Sequence, residues 1–134
     1  MHKDYNQEIE LSLDENHQVL NLEFLKSCSS ASYRAAWQDV LSIMAKQGIK
    51  KLFLNEKNMS IYPKDFEWLL KEWVPRSLPL LDKSFALSIV IPQNLYGEFS
   101  LKQALRKYLP NGTLQISCFM EPVSAKMWLI EASA

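Results

Sequence analysis

The chain has 134 residues, of which 48% are hydrophobic and 22% charged, and its fifteen basic and fifteen acidic side chains cancel. This length is close to the commonest size of one domain, so we predict a single domain over residues 1–134, with residues 1–6 as a frayed terminus. A zero net charge argues against nucleic-acid binding, because neutralising phosphates needs a positive excess. No apolar run approaches the ~20 residues that span a bilayer, so neither an integral membrane segment nor a secretory signal is expected.

Two cysteines, Cys28 and Cys118, are too few for a disulfide framework. They predict a protein of the reducing cytoplasm. Cys28 precedes a predicted helix and could be a thiolate stabilised by the helix dipole. We favour an ordinary thiol, because no histidine or second cysteine is near it in sequence.

Charge is distributed unevenly along the chain. Up to Phe24 there are six acids and Lys3 is the only basic residue, whereas residues 25–64 carry seven basic residues and two acids. The asymmetry is explained either by two solvated faces or by a docking surface, and we favour the solvated faces.

The first part of the chain predicts a β-hairpin followed by a helix. Apolar residues alternate over residues 8–13 and again up to Phe24, which is the period of half-buried strands, and residues 14–16 are turn formers. Serine hydroxyls between residues 27 and 32 can cap a helix, and Gly48 is placed to end it. The apolar stripe of this helix is Tyr33, Ala36, Trp37, Val40, Leu41 and Met44.

Strands and helices alternate in the remainder. Residues 49–54 and 85–91 are predicted as buried strands, separated by a helix that begins at Pro63 and should kink or end at Pro75. Residues 101–109 are predicted as a short helix, which is followed by a turn at 111–112. Residues 114–120 are predicted as the last strand. A terminal helix from Pro122 should turn these residues to the core: Val123, Met127, Trp128 and Ile130.

The order β-β-α-β-α-β-α-β-α predicts an α/β fold, because strands that alternate with helices form mostly parallel sheets. We expect a mixed, mostly parallel five-stranded sheet with helices packed on it.

No pattern typical of a catalytic site is present. Glycine-rich phosphate loops and a nucleophile elbow are lacking, and the two histidines, His2 and His17, have no ligands at metal-binding spacing. Carboxylates such as Asp65 and Glu67 occur where a helix start favours acids. We therefore expect a protein that is not an enzyme and holds no metal and no cofactor.

One segment is a candidate binding site. Residues 55–62 (NEKNMSIY) leave the carboxyl end of a predicted parallel strand, where open α/β sheets bind ligands, and enter a helix start that favours anions. An ordinary connecting loop explains the segment equally well. Trp68, beside the core stripe of the second helix, is either a core residue or an interface anchor. The candidate interaction or ligand surface comprises Asn55, Lys57, Asn58, Ser60, Tyr62, Asp65, Trp68 and Arg76.

Part of this region resembles a known family. Residues 54–59, an acidic-basic-asparagine-apolar loop, are followed by a P-x-D-x-x-W pattern and then by W-x-P-R. The residues that carry these patterns are Pro63, Asp65, Trp68, Trp73, Val74, Pro75 and Arg76. With the order of elements across the chain, they resemble STAS-like domains of the SpoIIAA type, in particular small bacterial members. Asn55 stands where the family pattern has an aspartate.

The resemblance implies a SpoIIAA-like fold and a regulatory or protein-interaction module without catalytic activity, with an unidentified protein partner and a homodimer as one arrangement. In one branch of the family a serine at the start of the second helix is phosphorylated, and Ser60 is the serine in the corresponding loop. The alternative function is a small-molecule binder, for a lipid or a nucleotide, with its cavity between the second helix and the sheet near residues 55–62.

Overall fold

The computed structural model describes residues 1–58, 63–81, 85–90 and 114–132. The predicted helix over residues 101–109 and the turn at 111–112 lie outside these ranges. The described elements, in chain order, are β1 (His2–Tyr5), β2 (Ile9–Asp14), β3 (Val19–Phe24), α1 (Ser30–Gln47), β4 (Lys51–Asn55), α2 (Pro63–Trp68), a π-helical segment (Leu69–Trp73), α3 (Val74–Leu81), β5 (Phe85–Val90), β6 (Leu114–Phe119) and α4 (Pro122–Glu131).

The six described strands form one mixed sheet in the order β1-β2-β3-β4-β5-β6. The first two pairings are antiparallel, and the pairings from β3 to β6 are parallel. The predicted hairpin, formed by β2 and β3, is confirmed, and so is the general α/β class. All six residues of β5 are buried, as expected for a central strand covered on both faces.

The amino terminus differs from the prediction of a frayed segment. His2–Tyr5 forms an additional edge strand, so the sheet has six strands rather than five. The side chains of Lys3 and Tyr5 both donate hydrogen bonds to the Asp39 carboxylate on α1. These contacts between distant parts of the chain hold a polar segment that has no apolar periodicity of its own.

Helix α1 begins and ends as its sequence predicts. Ser29 is the N-cap, and its side chain accepts a hydrogen bond from the backbone N–H of Ser32. Gly48 ends the helix with a left-handed φ of 65°, and its N–H donates to the Met44 carbonyl oxygen. The predicted stripe faces the sheet, except that Leu41 is only partly buried.

The second helical region continues past Pro75, which corrects the prediction that the helix could end there. The π-helical segment precedes Pro75, and the N–H of Val74 donates to the carbonyl oxygen of Leu69, five residues earlier. Proline lacks an N–H and crowds the carbonyl one turn back in an α-helix. The wider π-helical turn leaves room for the Pro75 ring, so the helix continues into α3.

The two faces of the sheet are covered differently. The larger core, which contains Trp37, Leu54 and Trp73, joins one face to α1 and the second helical region. On the other face, Ala125 and Leu129 of α4 pack on Phe53, Ala86 and Val90. There, β2 and β3 carry polar residues at intermediate exposure: Glu10, Ser12, Asp14, Asn21 and Glu23.

Helix α4 buries a different side from the one predicted. Val123, Met127 and Ile130 are 69%, 56% and 37% exposed, whereas Ala125 and Leu129 are fully buried. Met120, the last residue of the strand predicted over residues 114–120, lies beyond β6 and is also exposed. A helix that is apolar around its circumference gives no periodic signal for the side that meets the sheet.

Candidate functional site

The candidate site lies where β3 and β4 end and where α1 and α2 begin. The parallel pairing of these strands places the chain after Phe24 and after Asn55 at one edge of the sheet. Helix α1 starts at this edge because Ser29 caps it, and α2 starts with Pro63, whose fixed φ suits the first position of a helix. The side chains at the two helix starts therefore face one another.

The amino terminus of α1 is occupied by carboxylates of the chain itself. The backbone N–H of Ser29 donates to Glu8 Oε2 over 3.1 Å, and the Ser30 hydroxyl donates to Asp65 Oδ2 over 2.9 Å. Anionic groups are stabilised at the positive end of a helix. This helix end thus has its anions supplied internally, from β2 and α2.

Asp65 also organises the neighbouring cation. Its side chain is 2% exposed, and Oδ1 lies 3.5 Å from Arg34 Nε, on a side chain that is 44% exposed. The Arg34 guanidinium carbon lies 5.4 Å from the ring centroid of Trp68, in a cation–π arrangement. Trp68 in turn meets Tyr33 edge to face, with centroids 6.5 Å apart. Arg34 and Trp68 are therefore held in place by buried neighbours.

Burial and nearby carboxylates raise the pKa values of two groups behind this surface. Burial, and then the Glu56 carboxylate, raise the pKa of Tyr33 well above its ordinary value. Burial and the Glu8 carboxylate raise the pKa of Cys28 to about 11. Burial and the neighbouring carboxylate thus favour the protonated Cys28 thiol over the alternative of a reactive thiolate.

The structure brings together only some of the predicted site residues. Asp65 and Trp68 share one cluster, but Asn55 accepts a hydrogen bond at Oδ1 from the N–H of Lys57 over 3.1 Å, which makes a local turn. Lys57 and Asn58 are exposed. Ser60 and Tyr62 lie outside the described residues.

Arg76 belongs to a different part of the surface. It lies beyond the π-helical segment, where it contacts Glu72 at 3.3 Å and Gln38 at 3.4 Å. The candidate residues that sequence reasoning missed are Glu8, Ser30, Tyr33 and Arg34. Their partners lie 21 to 35 positions away along the chain, and no local spacing signals such contacts.

An open depression surrounds Trp68. We call it the Trp68 surface, and its lining residues are Arg34, Lys64, Glu67, Trp68, Lys71 and Glu72. A hydrogen bond from Lys71 lowers the pKa of Glu67, and the same bond raises the pKa of Lys71. Both side chains are exposed, so this pair fixes the local charge pattern and adds little to stability.

Two further features of the described residues concern the histidines and a possible metal site. His17 Nδ1 lies 2.8 Å from Asp14 Oδ2 at the exposed hairpin turn, as expected of a solvated strand-end residue, and this hydrogen bond lowers the pKa of Asp14. Among residues 1–58, 63–81, 85–90 and 114–132, no three His, Cys, Asp or Glu side chains are grouped to hold a metal ion. None of the helices in this part of the chain combines the length and apolar character required to cross a membrane.

Comparison with known proteins found no matching family model, no matching curated protein and no matching solved structure.

Proposed function

We propose that the chain is a regulatory or protein-interaction module without catalytic activity, of the STAS-like type, that contacts a protein partner through the Trp68 surface. The observation that carries this proposal is the pairing of Arg34 and Trp68 at the surface, with the guanidinium 5.4 Å from the ring centroid. Tryptophan, tyrosine and arginine are the residue types enriched among the anchors of protein interfaces.

The rigidity of this pair supports a role in binding. The buried side chain of Asp65 lies against Arg34, and the buried ring of Tyr33 lies against Trp68. A side chain that is already ordered in the free protein loses less conformational entropy when a partner binds. The surrounding charges of both signs, on Lys64, Glu67, Lys71 and Glu72, fit the polar rim of a protein interface.

The packing around the site favours a macromolecular partner over a small ligand. The second helical region lies on the sheet through Leu69, Trp73 and Val74, each at most 4% exposed and part of the larger core. The amino terminus of α1, a natural place for an anionic ligand, already holds Glu8 and Asp65. These contacts support the interaction module over the lipid or nucleotide binder.

Native mass spectrometry of gently purified protein from its source cells tests the proposal. We expect a stoichiometric protein partner, whose occupancy falls in a Lys64→Glu/Lys71→Glu variant. The matched control is Lys46→Glu/Lys50→Glu, which reverses the same number of exposed charges away from the Trp68 surface. A co-purified small molecule without a protein partner, or equal occupancy in both variants, would overturn the proposal.

A further inference from the structure

Arg34 is the cation of the Trp68 surface whose orientation the fold fixes. Its Nε atom is buried and faces Asp65 Oδ1 at 3.5 Å, whereas the side chain as a whole is 44% exposed. The guanidinium lies over the Trp68 ring. With Nε turned inward, the N–H groups that remain for a binding partner are the four on Nη1 and Nη2.

Asp65 holds Arg34 in place without occupying this outer end. Its Oδ2 accepts the hydrogen bond from the Ser30 hydroxyl and its Oδ1 faces Nε, so both oxygens are directed at groups of the chain itself. Within the ranges that the structure describes, Asp65 is the only acid that forms an ion pair with Arg34. The Nη1 and Nη2 groups therefore form a preorganised fork of donors that has received no anion from this part of the chain.

The charges around this fork leave one positive charge in excess. Glu67 is hydrogen-bonded to Lys71, and Glu72 contacts Arg76 at 3.3 Å. Lys64 is exposed and lines the same depression, but it forms none of the ion pairs found among the described residues. Each acid of this surface thus has its own basic residue, and the charge of Lys64 is left over.

We propose that the Trp68 surface recognises an acidic segment of its protein partner, in which an aspartate or glutamate carboxylate accepts two hydrogen bonds from the Nη1 and Nη2 groups of Arg34. This inference rests on the proposed function, because it names the chemistry of the partner that the surface contacts. A guanidinium presents its donors in a fixed geometry that matches a carboxylate, and such paired, charge-assisted bonds are stronger than those between neutral groups. Lys64 supplies the second positive charge beside the carboxylate.

Trp68 determines which residue type lies next to that carboxylate. Its ring is only partly buried and meets Tyr33 edge to face, so part of the ring remains open to a partner. An aromatic or aliphatic side chain beside the acid would cover this ring and exclude water from the ion pair, which strengthens the hydrogen bonds. The segment that we expect is therefore an acidic residue with a large apolar neighbour.

Charge separates this partner from the alternatives. A basic segment would be repelled by Arg34 and Lys64. A phosphorylated side chain carries about −1.5 to −2 charge, more than the single excess charge of the surface, and it would lie close to the exposed carboxylates of Glu67 and Glu72. An anionic lipid surface would bring a dense array of negative charge against the same two carboxylates. A single carboxylate matches the excess, and complementary potentials favour association.

A synthetic peptide array probed with the full chain tests the inference. Each peptide is a nonamer with glutamate, glutamine, lysine or phosphoserine at its centre, phenylalanine or serine next to it, and mixtures of residues elsewhere. The strongest binders are resynthesised with a fluorescent label, and anisotropy gives their affinities. We expect peptides with glutamate beside phenylalanine to bind at least about tenfold more tightly than their glutamine counterparts.

Variants of the chain assign this preference to the fork. Arg34→Lys keeps the charge but loses the paired donors, so the preference for glutamate over glutamine should fall from about tenfold to about twofold. Lys64→Gln should weaken binding of the glutamate peptides about threefold. The matched control, Lys46→Gln, removes an exposed charge at the end of α1 and should change neither value. Circular dichroism establishes that each variant is folded, and Lys64→Gln carries the test if Arg34→Lys is not.

The outcomes separate this inference from the proposed function. Peptides whose binding is lost in Trp68→Ala, but which bind equally well with glutamate and glutamine, or more tightly with lysine or phosphoserine, would overturn the inference and leave the proposed function standing. Binding that neither Trp68→Ala nor Arg34→Lys changes would overturn both. The absence of binding by every glutamate peptide would overturn the inference alone, since native mass spectrometry tests the proposed function separately.

Discussion

The indole N–H of Trp73 donates a 2.6 Å hydrogen bond to the backbone carbonyl oxygen of Trp37, and the two rings meet edge to face with centroids 4.8 Å apart. This contact joins the π-helical segment to the middle of α1. Such ring pairs add to the stabilisation that burial provides. The contact therefore sets how the second helical region lies beside α1, and so how Trp68 is presented at the surface.

Replacing Trp73 by phenylalanine should destabilise the protein by about 1–3 kcal/mol, because the variant loses a buried hydrogen bond and leaves a small void. Urea denaturation measures the change in the free energy of unfolding. The matched control is Trp128→Phe on α4, where the ring is only partly buried, and it should cost less. Equal costs for the two variants would contradict this assignment.

Truncating α1 side chains should rank by burial. Trp37 is 1% exposed, so Trp37→Ala should cost about 3–5 kcal/mol through lost burial and a cavity. Leu41 is partly buried, and Leu41→Ala should cost less than Trp37→Ala. Lys57→Ala, at an exposed turn, should stay within about 0.5 kcal/mol. Thermal melts and urea titrations check the order, and a reversed order would mean that the helix register is wrong.

The hydrogen bonds that Asp39 of α1 accepts from Lys3 and Tyr5 of β1 should make the free energy of unfolding depend on pH. Burial alone would raise the pKa of Asp39, but hydrogen bonds from Tyr5 and Lys3 hold it below its ordinary value. A carboxyl with a lowered pKa in the folded state stabilises the fold above its unfolded pKa of about 3.9 and loses that effect as pH falls through the folded pKa.

The free-energy difference between wild type and Asp39→Asn should therefore be at most about 1 kcal/mol near pH 6 and should shrink towards zero near pH 2. Urea titrations at a series of pH values give this difference directly. A difference that stays constant from pH 6 to pH 2 would show that the carboxylate charge contributes nothing to holding β1.

The Cys28 thiol should react slowly with alkylating reagents. Its pKa of about 11 leaves little thiolate at pH 8, and the side chain is 5% exposed. We expect iodoacetamide to modify Cys28 at least about tenfold more slowly in the folded protein than in urea. Peptide mass spectrometry of timed samples measures both rates, and equal rates would contradict the assignment.

The raised pKa of Cys28 also has a consequence for alkaline stability. A group whose pKa is raised by folding stabilises the fold below its unfolded pKa, here about 8.5, and loses that effect as pH rises through the folded value. Stability should therefore fall between pH 8.5 and 11, and the fall should be smaller in Cys28→Ala. If the free energy of unfolding of Cys28→Ala falls as much as that of the wild type over this pH range, groups other than Cys28 cause the fall.

The sequence predicts elements that carry a local signal. Helix α1 has a serine cap, an apolar stripe and Gly48, so its limits follow from residues within the element. The hairpin of β2 and β3 is predictable because its side chains alternate between a buried and a solvated face. These signals come from residues a few positions apart in the chain, so the sequence alone is enough to recognise them.

The predictions that were wrong concern relations between distant residues. Strand β1 is held by Asp39, more than thirty positions away, and nothing within residues 2–5 indicates that contact. The side on which α4 packs depends on the apolar face of β4 and β5, because the helix itself is apolar all round. Asp65 has a local explanation as a helix-start acid, but its bond to Ser30 joins two helices.

The short strand at the amino end also protects the sheet from unwanted assembly. Its residues His2, Lys3 and Asp4 are exposed, so that border of the sheet presents charged and polar side chains to solvent. Such residues on an outer strand discourage pairing with other chains. Without it, β2 would become the border, with Ile9 and Leu11 beside free backbone groups. The polar strand β1 therefore covers the backbone edge of the aliphatic strand β2, which could otherwise pair with other chains and aggregate.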